Sequence, residues 1–363
     1  MKLFPALEQK YSKEKMRVIE ARTRAHEISF APVSFQVSRL MVKFGILQLL
    51  VDSKDGLTIE EIAAKTNLSH YAVQVLLEAS LTIGTVLYTN ERFVASKVGW
   101  FLLSDPLVDV NVVFNHDVTY QGMYHLEEAL LNGKPEGLKV FGQWKTIYEG
   151  LSSLPDDARK SWLMFDHFYS DNSFDEALQI VFSYHPQTLL DVGGNTGRWA
   201  LRCVDYDEKV AVTIMDLPQQ IGMMKEQIAG KKGAERIFGH GANLLDPAVP
   251  FPKGFDSIWM SQFLDCFSED EIVSILQRAA EAMSAESSLF IMETLWDRQN
   301  TDTAAFCLTH VSLYFTAMAN GNSKMYHSED MIRCIETAGL TVEKIHDGLG
   351  SGHSVIVCKR GDC

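Results

Sequence analysis

Several features that mark particular functional classes are missing from this sequence. Its six cysteines, at positions 203, 266, 307, 334, 358 and 363, form no CxxC pair and no metal-ligand spacing. This usage predicts free thiols in a reducing compartment and no metal site. No apolar run is long enough to span a membrane, and residues 1–27 are charged throughout, unlike a signal peptide. These absences predict a cytoplasmic protein without a membrane partner.

Basic side chains are also scarce. The 363 residues include 33 Lys and Arg against 47 Asp and Glu, which gives a formal net charge of −14. A nucleic-acid groove needs clustered positive charge to neutralise phosphates, so this composition argues against a nucleic-acid partner. The apolar share of 46% is ordinary for a globular protein, and the length allows more than one domain with a substantial core.

Residues 1–104 have the pattern of a winged helix. Helix-period apolar positions cover residues 6–28 and 32–51, and Pro32 is expected to begin the second of these helices. A capping box at 58–61 opens a short helix, a longer helix follows, and VLYT and RFVAS flank a tight turn at Asn90-Glu91. Because the helix just before this hairpin, SHYAVQVLLEASLTIG, lacks Lys and Arg, packing or dimerisation is favoured over DNA binding.

The remainder of the chain consists of two regions with different hydrophobic patterns. Residues 105–182 predict a helical connecting region, and residues 183–363 alternate between apolar strands and helices. This alternation predicts an α/β domain with a Rossmann-like, doubly wound, mostly parallel sheet of seven strands. The predicted strands are TLLDVGG, VAVTIMDL, RIFGHGAN, DSIWMSQFL, SSLFIMET, TVEKIHDG and HSVIVCKR.

The segment LLDVGGNTG contains the strongest functional pattern. A buried strand ends at Asp191, and Gly193, Gly194 and Gly197 follow at the start of a helix. Glycines allow a sharp turn and let the backbone approach a ligand without interference from a Cβ atom. The spacing differs from the G-x-G-x-x-G of dinucleotide folds, which directs a helix N-terminus at a pyrophosphate.

Two further strand ends supply polar groups beside this loop. Asp216 ends the next strand at the interval expected for an acid that binds ribose hydroxyls, and Asn243 could hydrogen-bond an adenine edge. S-adenosylmethionine carries a sulfonium and an ammonium group, so the acid Asp191 would attract it and would repel a diphosphate. The pattern therefore favours S-adenosylmethionine as the cofactor.

Together, LLDVGGNTG, IMDLP, FLDCFSEDE, FIMET and the winged helix resemble the class I S-adenosylmethionine-dependent O-methyltransferases. The resemblance is narrower to the plant caffeate-type and bacterial small-molecule enzymes, and it covers nearly the whole chain. It implies a C-terminal methyltransferase domain, a homodimer formed through the N-terminal domain, a small-molecule acceptor and S-adenosylhomocysteine as the product.

The resemblance also assigns cofactor contacts along the strand ends. Asn243 stands where the family usually has Asp, and its side chain can still accept a hydrogen bond from an adenine amine. Ser261 stands where the family often has a Lys near the cofactor. The candidate cofactor-binding residues are Asp191, Gly193, Gly194, Gly197, Asp216, Leu217, Asn243, Leu244, Ser261 and Gln262.

The segment FLDCFSEDE departs from the family at the catalytic position. Ser268 and Glu271 predict a capping box, so a helix begins just after the strand end. The family uses a His in this segment to deprotonate the acceptor, and an ungapped match places Asp265 there. Glu293 falls where a Glu orients that His. Asp265 and Glu293 are therefore the candidate catalytic residues, and burial beside each other would raise one of their pKa values.

Two other positions near this segment have more modest interpretations. The resemblance places Ser323 where the family has a second orienting Glu. Cys266 is expected to be a small pocket or core residue, because no His adjacent in sequence supports a nucleophile.

The resemblance places the acceptor pocket in two helical segments. His167 and His310 lie in these segments and are alternative bases, and the nearby aromatic rings suit a flat acceptor. A third alternative is an acceptor that is already ionised and needs little base. The candidate pocket residues are Phe165, His167, Tyr169, His310, Tyr314 and Met318.

These observations predict methyl transfer from S-adenosylmethionine to a small aromatic hydroxyl compound. Because the catalytic residues are altered, a non-methylating enzyme on the same fold, such as a hydroxylase, stays open. The alternative from another class is a winged-helix regulator that senses S-adenosylmethionine. Such a regulator needs a basic recognition helix, which the sequence lacks.

Overall fold

The computed structural model describes residues 5–361, which form two compact units. The first unit ends at His116 and the second begins at Asp117. The first unit therefore extends past residue 104, and a further division of the chain near residue 182 stays a prediction.

The first unit is helical apart from one hairpin. The turn residues Asn90 and Glu91 have φ angles of 49° and 60°, as a tight two-residue hairpin turn requires. Helices α3 to α5 with the hairpin form the winged-helix arrangement expected from the sequence. The elements are α1 (Pro5–Tyr11), α2 (Val18–Lys43), α3 (Ile46–Asp52), α4 (Ile59–Thr66), α5 (His70–Ile83), β1 (Val86–Thr89), β2 (Arg92–Ala95), α6 (Lys97–Ser104) and α7 (Pro106–Phe114).

The helix boundaries predicted around Pro32 are wrong. Helix α2 runs through Pro32 without a break, and its ends lie at the Arg17–Glu20 capping box and before Gly45, whose φ is 72°. A proline inside a helix removes one backbone hydrogen bond and bends the helix, but packing can outweigh this cost. The capping and the left-handed glycine therefore decide where α2 begins and ends.

Part of α2 presents apolar side chains to solvent. Its C-terminal end contributes the buried Met41 to the core of this unit. Its N-terminal half instead exposes Val18, Ile28, Phe30 and Val33. Among the described helices, none is by itself long and apolar enough to cross a membrane, although α2 and α3 together meet that criterion across a 61° bend.

The second unit contains the α/β domain. Its helices are α8 (Leu126–Asn132), α9 (Ile147–Gly150), α10 (Asp156–Asp171), α11 (Phe174–Phe182), α12 (Arg198–Tyr206), α13 (Pro218–Ile228), α14 (Glu269–Ala282), α15 (Asp302–Tyr314) and α16 (Ser328–Thr337). Its strands are β3 (Thr188–Val192), β4 (Ala211–Asp216), β5 (Ile237–Gly241), β6 (Ser257–Ser261), β7 (Ser288–Glu293), β8 (Leu340–Leu349) and β9 (His353–Arg360).

The sheet has the strand order β5-β4-β3-β6-β7-β9-β8, which confirms the seven-stranded, mostly parallel prediction. Strands β3 to β7 are parallel, and β9 is antiparallel to both of its neighbours. Strands β4 and β5 follow β3 outward on one side, and β7 follows β6 outward on the other, where β9 lies between β7 and the edge strand β8. The strand order therefore reverses between β3 and β6, which is where open α/β sheets bind ligands.

Apolar side chains cover both faces of this sheet. One cluster packs β6 and β7 against α14 and α16, and the other packs β3 and β4 against α11, α12 and α13. In the second cluster the Trp199 and Trp259 rings stack with their centroids 4.2 Å apart. This packing fixes the carboxyl ends of β3, β4, β6 and β7 at one edge of the sheet.

Candidate active site

The loop between β3 and α12 requires glycine for its backbone conformation. Gly193 and Gly197 have φ angles of 73° and 80°, in the left-handed region. A Cβ atom on Gly193 would lie 2.3 Å from the Phe263 ring, so no larger residue fits there. The loop consequently places backbone atoms without side chains at the carboxyl ends of β3 and β6.

Asp191 is a buried carboxyl without a partner for one of its oxygens. The residue is 2% exposed, and its Oδ2 atom makes no hydrogen bond within the described part of the chain. Gly194 packs directly over it, since a Cβ atom there would lie 2.5 Å from Oδ2. Burial, together with the nearby Asp216, raises the pKa of Asp191 to about 8. A cationic ligand beside Asp191 would stabilise its ionised form.

Asp216 is oriented by backbone amides at the end of β4. Its Oδ2 accepts from the Asn195 N–H at 2.9 Å, and its Oδ1 accepts from the Leu217 N–H at 2.7 Å. Burial raises its pKa, and the two amide bonds oppose that shift. Each carboxylate oxygen retains acceptor capacity, so the group can still bind a pair of hydroxyls.

The ends of β5 and β6 carry the other candidate cofactor residues. Asn243 is exposed, its Oδ1 accepts from the Leu245 N–H at 3.1 Å, and the neighbouring Leu244 is buried. Half-buried Ser261 precedes Gln262, which has a left-handed φ of 44°. The Oε1 atom of Gln262 is buried, and no described residue donates to it. Backbone strain and an unpaired polar atom therefore coincide at the carboxyl end of β6.

Asp265 and Glu293 are brought together as a buried pair. They are 5% and 2% exposed. The Oε1 atom of Glu293 accepts from the Phe263 N–H at 3.0 Å and the Leu264 N–H at 2.8 Å, while its Oε2 atom has no partner within residues 5–361. Glu293 thus holds the short segment that carries Asp265.

The pKa values of both carboxyls in this pair are raised. Burial raises the pKa of Asp265 to about 6. Burial raises the pKa of Glu293 well above its usual range, and the Asp265 charge adds to that shift. Both shifts disfavour two negative charges in this buried pair.

Cys266 supports Asp265 as a hydrogen-bond donor. Its Sγ atom donates to Asp265 Oδ1 at 3.4 Å, and the Tyr148 hydroxyl in turn bonds to Cys266. Burial and the Asp265 charge raise the pKa of the thiol well above its usual range. Cys266 is therefore a protonated thiol beside the carboxylate, which does not favour a nucleophilic role.

Ser323 contacts the same segment through Asn320. The Ser323 hydroxyl donates to Asn320 Oδ1 at 3.0 Å, and the Asn320 amide donates to the Cys266 carbonyl. The residue that stands in place of the family's second orienting Glu thus holds the backbone next to Asp265. Within residues 5–361, Asp265 has no hydrogen bond or ion pair with an imidazole.

Asp166 is a group near this pair that sequence reasoning missed. It lies on α10 one turn after Trp162, whose Nε1 donates to the Tyr314 hydroxyl at 2.7 Å. Burial raises the pKa of Asp166 to about 7, and the Asp265 charge adds to the shift. The i, i+4 spacing of Trp162 and Asp166 was the available sequence signal, because it places both on one helix face.

Four of the predicted pocket residues lie on two helices, α10 and α15. The Phe165 and Tyr169 rings lie 4.9 Å apart on α10, and Tyr314 is buried on α15. His167 is on the same helix, with its Nε2 buried and unpartnered in the described structure. Burial, and then the Arg198 charge, lower the pKa of His167.

His310 and Met318 do not join the carboxyl pair. His310 is exposed, and its Nδ1 atom lies 2.7 Å from the Phe306 carbonyl of its own helix. Met318 is completely buried, and its sulfur packs where Cβ atoms of Gly122 and Gly137 would otherwise stand. Their assignment to the acceptor pocket stays a prediction. Across the described residues, no three His, Cys, Asp or Glu side chains are placed to hold a metal ion.

Two family models match the chain. Residues 22–93 match the Dimerisation2-like domain, and residues 123–340 match the O-methyltransferase domain. Among curated proteins, the L-tyrosine C(3)-methyltransferase of Streptomyces lavendulae is 21% identical over 340 residues, which span 92% of this chain and 91% of that protein. The demethylspheroidene O-methyltransferase of Rhodobacter capsulatus is 24% identical over 313 residues, with 85% and 74% covered.

Solved structures share the fold across the whole chain. The mitomycin 7-O-methyltransferase MmcR has a TM-score of 0.70 at 20% identity and covers 94% of this chain and 98% of its own. The human N-acetylserotonin methyltransferase, solved in complex with S-adenosylmethionine, has a TM-score of 0.67 at 15% identity, with 97% and 99% covered. These structures therefore show a fold that this chain shares with them.

Proposed function

Because this chain belongs to the S-adenosylmethionine-dependent O-methyltransferase family, we propose that it methylates a small aromatic hydroxyl compound at the Asp265–Glu293 pair. S-adenosylmethionine is its cofactor, as in the related structures. The observation that carries the proposal is the alignment of Asp191, Asp216 and Asp265 along one edge of the sheet, beside a loop of bare glycine backbone.

The residues of this chain fit the cofactor by charge and shape. When bound, S-adenosylmethionine supplies an activated methyl group on a cationic sulfur. The unpaired Oδ2 of Asp191 suits its positive charges, and the oriented Asp216 carboxylate suits ribose hydroxyls. The proposed contacts continue through Leu217, Asn243, Leu244, Ser261 and Gln262, with Gly193, Gly194 and Gly197 allowing the close backbone approach.

The acceptor side consists of Asp265, its supporting groups and aromatic rings. Asp265 would accept a hydrogen bond from the acceptor hydroxyl, and Glu293 would keep Asp265 in place through the 263–264 backbone. Phe165, Tyr169 and Tyr314 would pack against a flat acceptor. Holding acceptor and methyl group in contact supplies much of the rate enhancement in a reaction of this kind.

Relatives of this chain are named for methylation at different atoms. Demethylspheroidene O-methyltransferase is named for oxygen, and the L-tyrosine C(3)-methyltransferase is named for a tyrosine carbon. Both names are compatible with a hydroxyl-bearing acceptor held at Asp265. The acceptor class proposed for this chain is therefore a phenol.

The proposal is tested by measuring binding and turnover separately. Calorimetry should show binding of S-adenosylmethionine and S-adenosylhomocysteine, and a panel of phenols should yield S-adenosylhomocysteine release. Asp265→Asn should reduce turnover by about a hundredfold or more while cofactor affinity is retained. Absence of cofactor binding would contradict the proposal, and so would a wild-type turnover rate in Asp265→Asn.

We further propose that two chains associate through residues 22–93, the segment that matches the dimerisation-like domain. The exposed Ile28, Phe30 and Val33 of α2 support this, since an exposed apolar surface of this kind marks an interface. Light scattering should give the mass of a dimer, and Phe30→Asp with Val33→Asp should shift it toward a monomer. A monomeric wild-type protein would contradict the proposal.

A further inference from the structure

Helix α10 carries a carboxylate on its aromatic face. Trp162, Phe165 and Tyr169 lie on one side of this helix, and Asp166 shares that side because residues three and four apart on a helix are neighbours. Trp162 and Tyr169 are buried, and the Phe165 and Tyr169 rings lie 4.9 Å apart. A position among three aromatic rings is ordinarily apolar, so packing alone does not explain a charged side chain there.

Two contacts place α10 in the site, one on each side of Asp166 along the helix. One turn before Asp166, the Trp162 Nε1 donates to the Tyr314 hydroxyl at 2.7 Å. At the end of the helix, Asp171 forms an ion pair with Arg198, the first residue of α12 after the glycine loop. Asp166 therefore lies between a contact with α15 and a contact with the helix that follows the glycine loop.

Asp166 is one of three carboxyls on the acceptor side. Burial, and then the Asp265 charge, raise the pKa values of Asp166 and Glu293, so both groups are neighbours of Asp265. Burial raises the pKa of the Tyr314 hydroxyl, and the charges of Asp166 and Asp265 both add to that shift. Glu293 is 2% exposed, and its Oε2 atom has no partner within residues 5–361. Acceptor capacity is therefore left over in this cluster.

The described side chains do not balance these carboxyls with positive charge. The Arg198 charge opposes the raised pKa of Asp166, but the Arg198 guanidinium is already paired with Asp171. Within residues 5–361, Asp166, Asp265 and Glu293 make no ion pair with a Lys or an Arg. A desolvated carboxylate without a partner is unfavourable, and a cationic ligand beside it removes that penalty.

We propose that the acceptor is a phenol that carries an alkylammonium group and no carboxylate, with its ammonium bound by Asp166 and its hydroxyl facing Asp265. This inference rests on the proposed methyltransferase function and names the charge of the substrate at the same site. Aromatic ring faces attract cations, so the rings around Asp166 add to the attraction of its carboxylate. A carboxylate on the acceptor would meet three acids and no unpaired cation, so an amine is favoured over the corresponding amino acid.

Acceptors of matched shape and different charge test this inference at pH 8. An alkylammonium is charged at that pH, because its pKa is about 10, like that of Lys. Calorimetry on the enzyme loaded with S-adenosylhomocysteine should show that tyramine binds about tenfold more tightly than para-ethylphenol, the effect of one charge-assisted hydrogen bond. Tyrosine, which adds a carboxylate to tyramine, should bind about tenfold more weakly than tyramine. The kcat/KM values for methylation should follow the same order.

Two variants of α10 assign the preference to one side chain. Asp166→Asn should abolish the preference for tyramine over para-ethylphenol, while its affinity for para-ethylphenol stays unchanged and reports an intact pocket. Asp157→Asn is the matched control, because it removes the same charge from an exposed position of the same helix, and it should keep the preference. Affinity for S-adenosylmethionine should be the same in both variants and in the wild type.

The outcomes separate this inference from the proposed function. Equal affinities of the wild type for tyramine and para-ethylphenol would overturn the inference, and methylation of both would leave the proposed function intact. A loss of S-adenosylmethionine affinity in Asp166→Asn would also overturn it, because the acid would then serve the cofactor. A preference for tyramine in binding, with no S-adenosylhomocysteine release from any phenol, would support the charge assignment and count against the proposed function alone.

Discussion

The Oε1 atom of Glu293 lies 2.8 Å from the backbone nitrogen of Leu264, the residue immediately before Asp265. Glu293 ends β7 and Leu264 follows β6, so this contact ties two neighbouring strands together at the edge where the site lies. The same oxygen accepts from the Phe263 N–H. Asp265 is therefore positioned through the backbone, and Glu293 is a positioning residue.

Removing this acceptor is expected to destabilise the enzyme. Glu293→Ala leaves the Phe263 and Leu264 N–H groups buried without a partner, which should lower the free energy of unfolding by about 2–4 kcal/mol. Glu293→Gln keeps a carbonyl oxygen at the same place and should remain close to wild type. Denaturant unfolding of both variants measures the difference. Equal stability of the Ala and Gln variants would argue against the backbone role of Glu293.

The Cys266 thiol should control the acid limb of the pH–rate profile. Its hydrogen bond lowers the pKa of Asp265, opposing the larger effect of burial. Activity that needs the Asp265 carboxylate should fall as pH drops through about 6, and Cys266→Ala should move this limb to higher pH. Cys266→Ser retains a donor and serves as the control. Coincident limbs in the wild type and Cys266→Ala would exclude this effect.

Cofactor binding should release a proton from Asp191. Burial raises the pKa of Asp191 to about 8, so below that pH the free enzyme holds the proton, while a cationic cofactor favours the carboxylate. Affinity should therefore rise with pH, by up to about tenfold per unit, and level off above pH 8. Calorimetry in buffers of different ionisation enthalpy counts the released proton.

The Asp191→Asn variant provides the matching control for proton release. Its side chain does not titrate, so the pH dependence of cofactor affinity should flatten. If the wild-type enzyme releases no proton at pH 7, Asp191 does not ionise on cofactor binding.

Asp166 should select acceptors that carry a positive charge. It is half-buried, its side chain makes no hydrogen bond or ion pair within residues 5–361, and its pKa is about 7, so it is mostly ionised at pH 8. Asp166→Asn should lower kcat/KM for tyramine about tenfold, the effect of one charge-assisted hydrogen bond, with little change for para-ethylphenol. Steady-state kinetics with both phenols test this, and equal losses would indicate a structural role instead.

Local sequence patterns were sufficient for the elements that frame the site. The capping boxes at Thr58 and Ser268 both form, because the groups involved lie only three residues apart. The alternation of apolar strands and helices predicted the seven strands, and the inner strands β3, β6 and β7 are buried along nearly their whole length. Pro32 was misread because a residue's average preference does not set a helix boundary by itself, and the Arg17–Glu20 capping box and Gly45 mark the ends of α2.

The sequence by itself determined the glycine loop, the carboxyls at the strand ends and the replacement of a His by Asp265. Only the tertiary structure decided what surrounds that carboxylate. Tyr148, Asp166 and Asn320 come from segments far apart in the chain, and no spacing in the sequence relates them to Asp265. Burial raised the pKa values of Asp191, Asp265 and Glu293. The folded environment sets these shifts, because desolvation and neighbouring charge depend on distance in space and not on order along the chain.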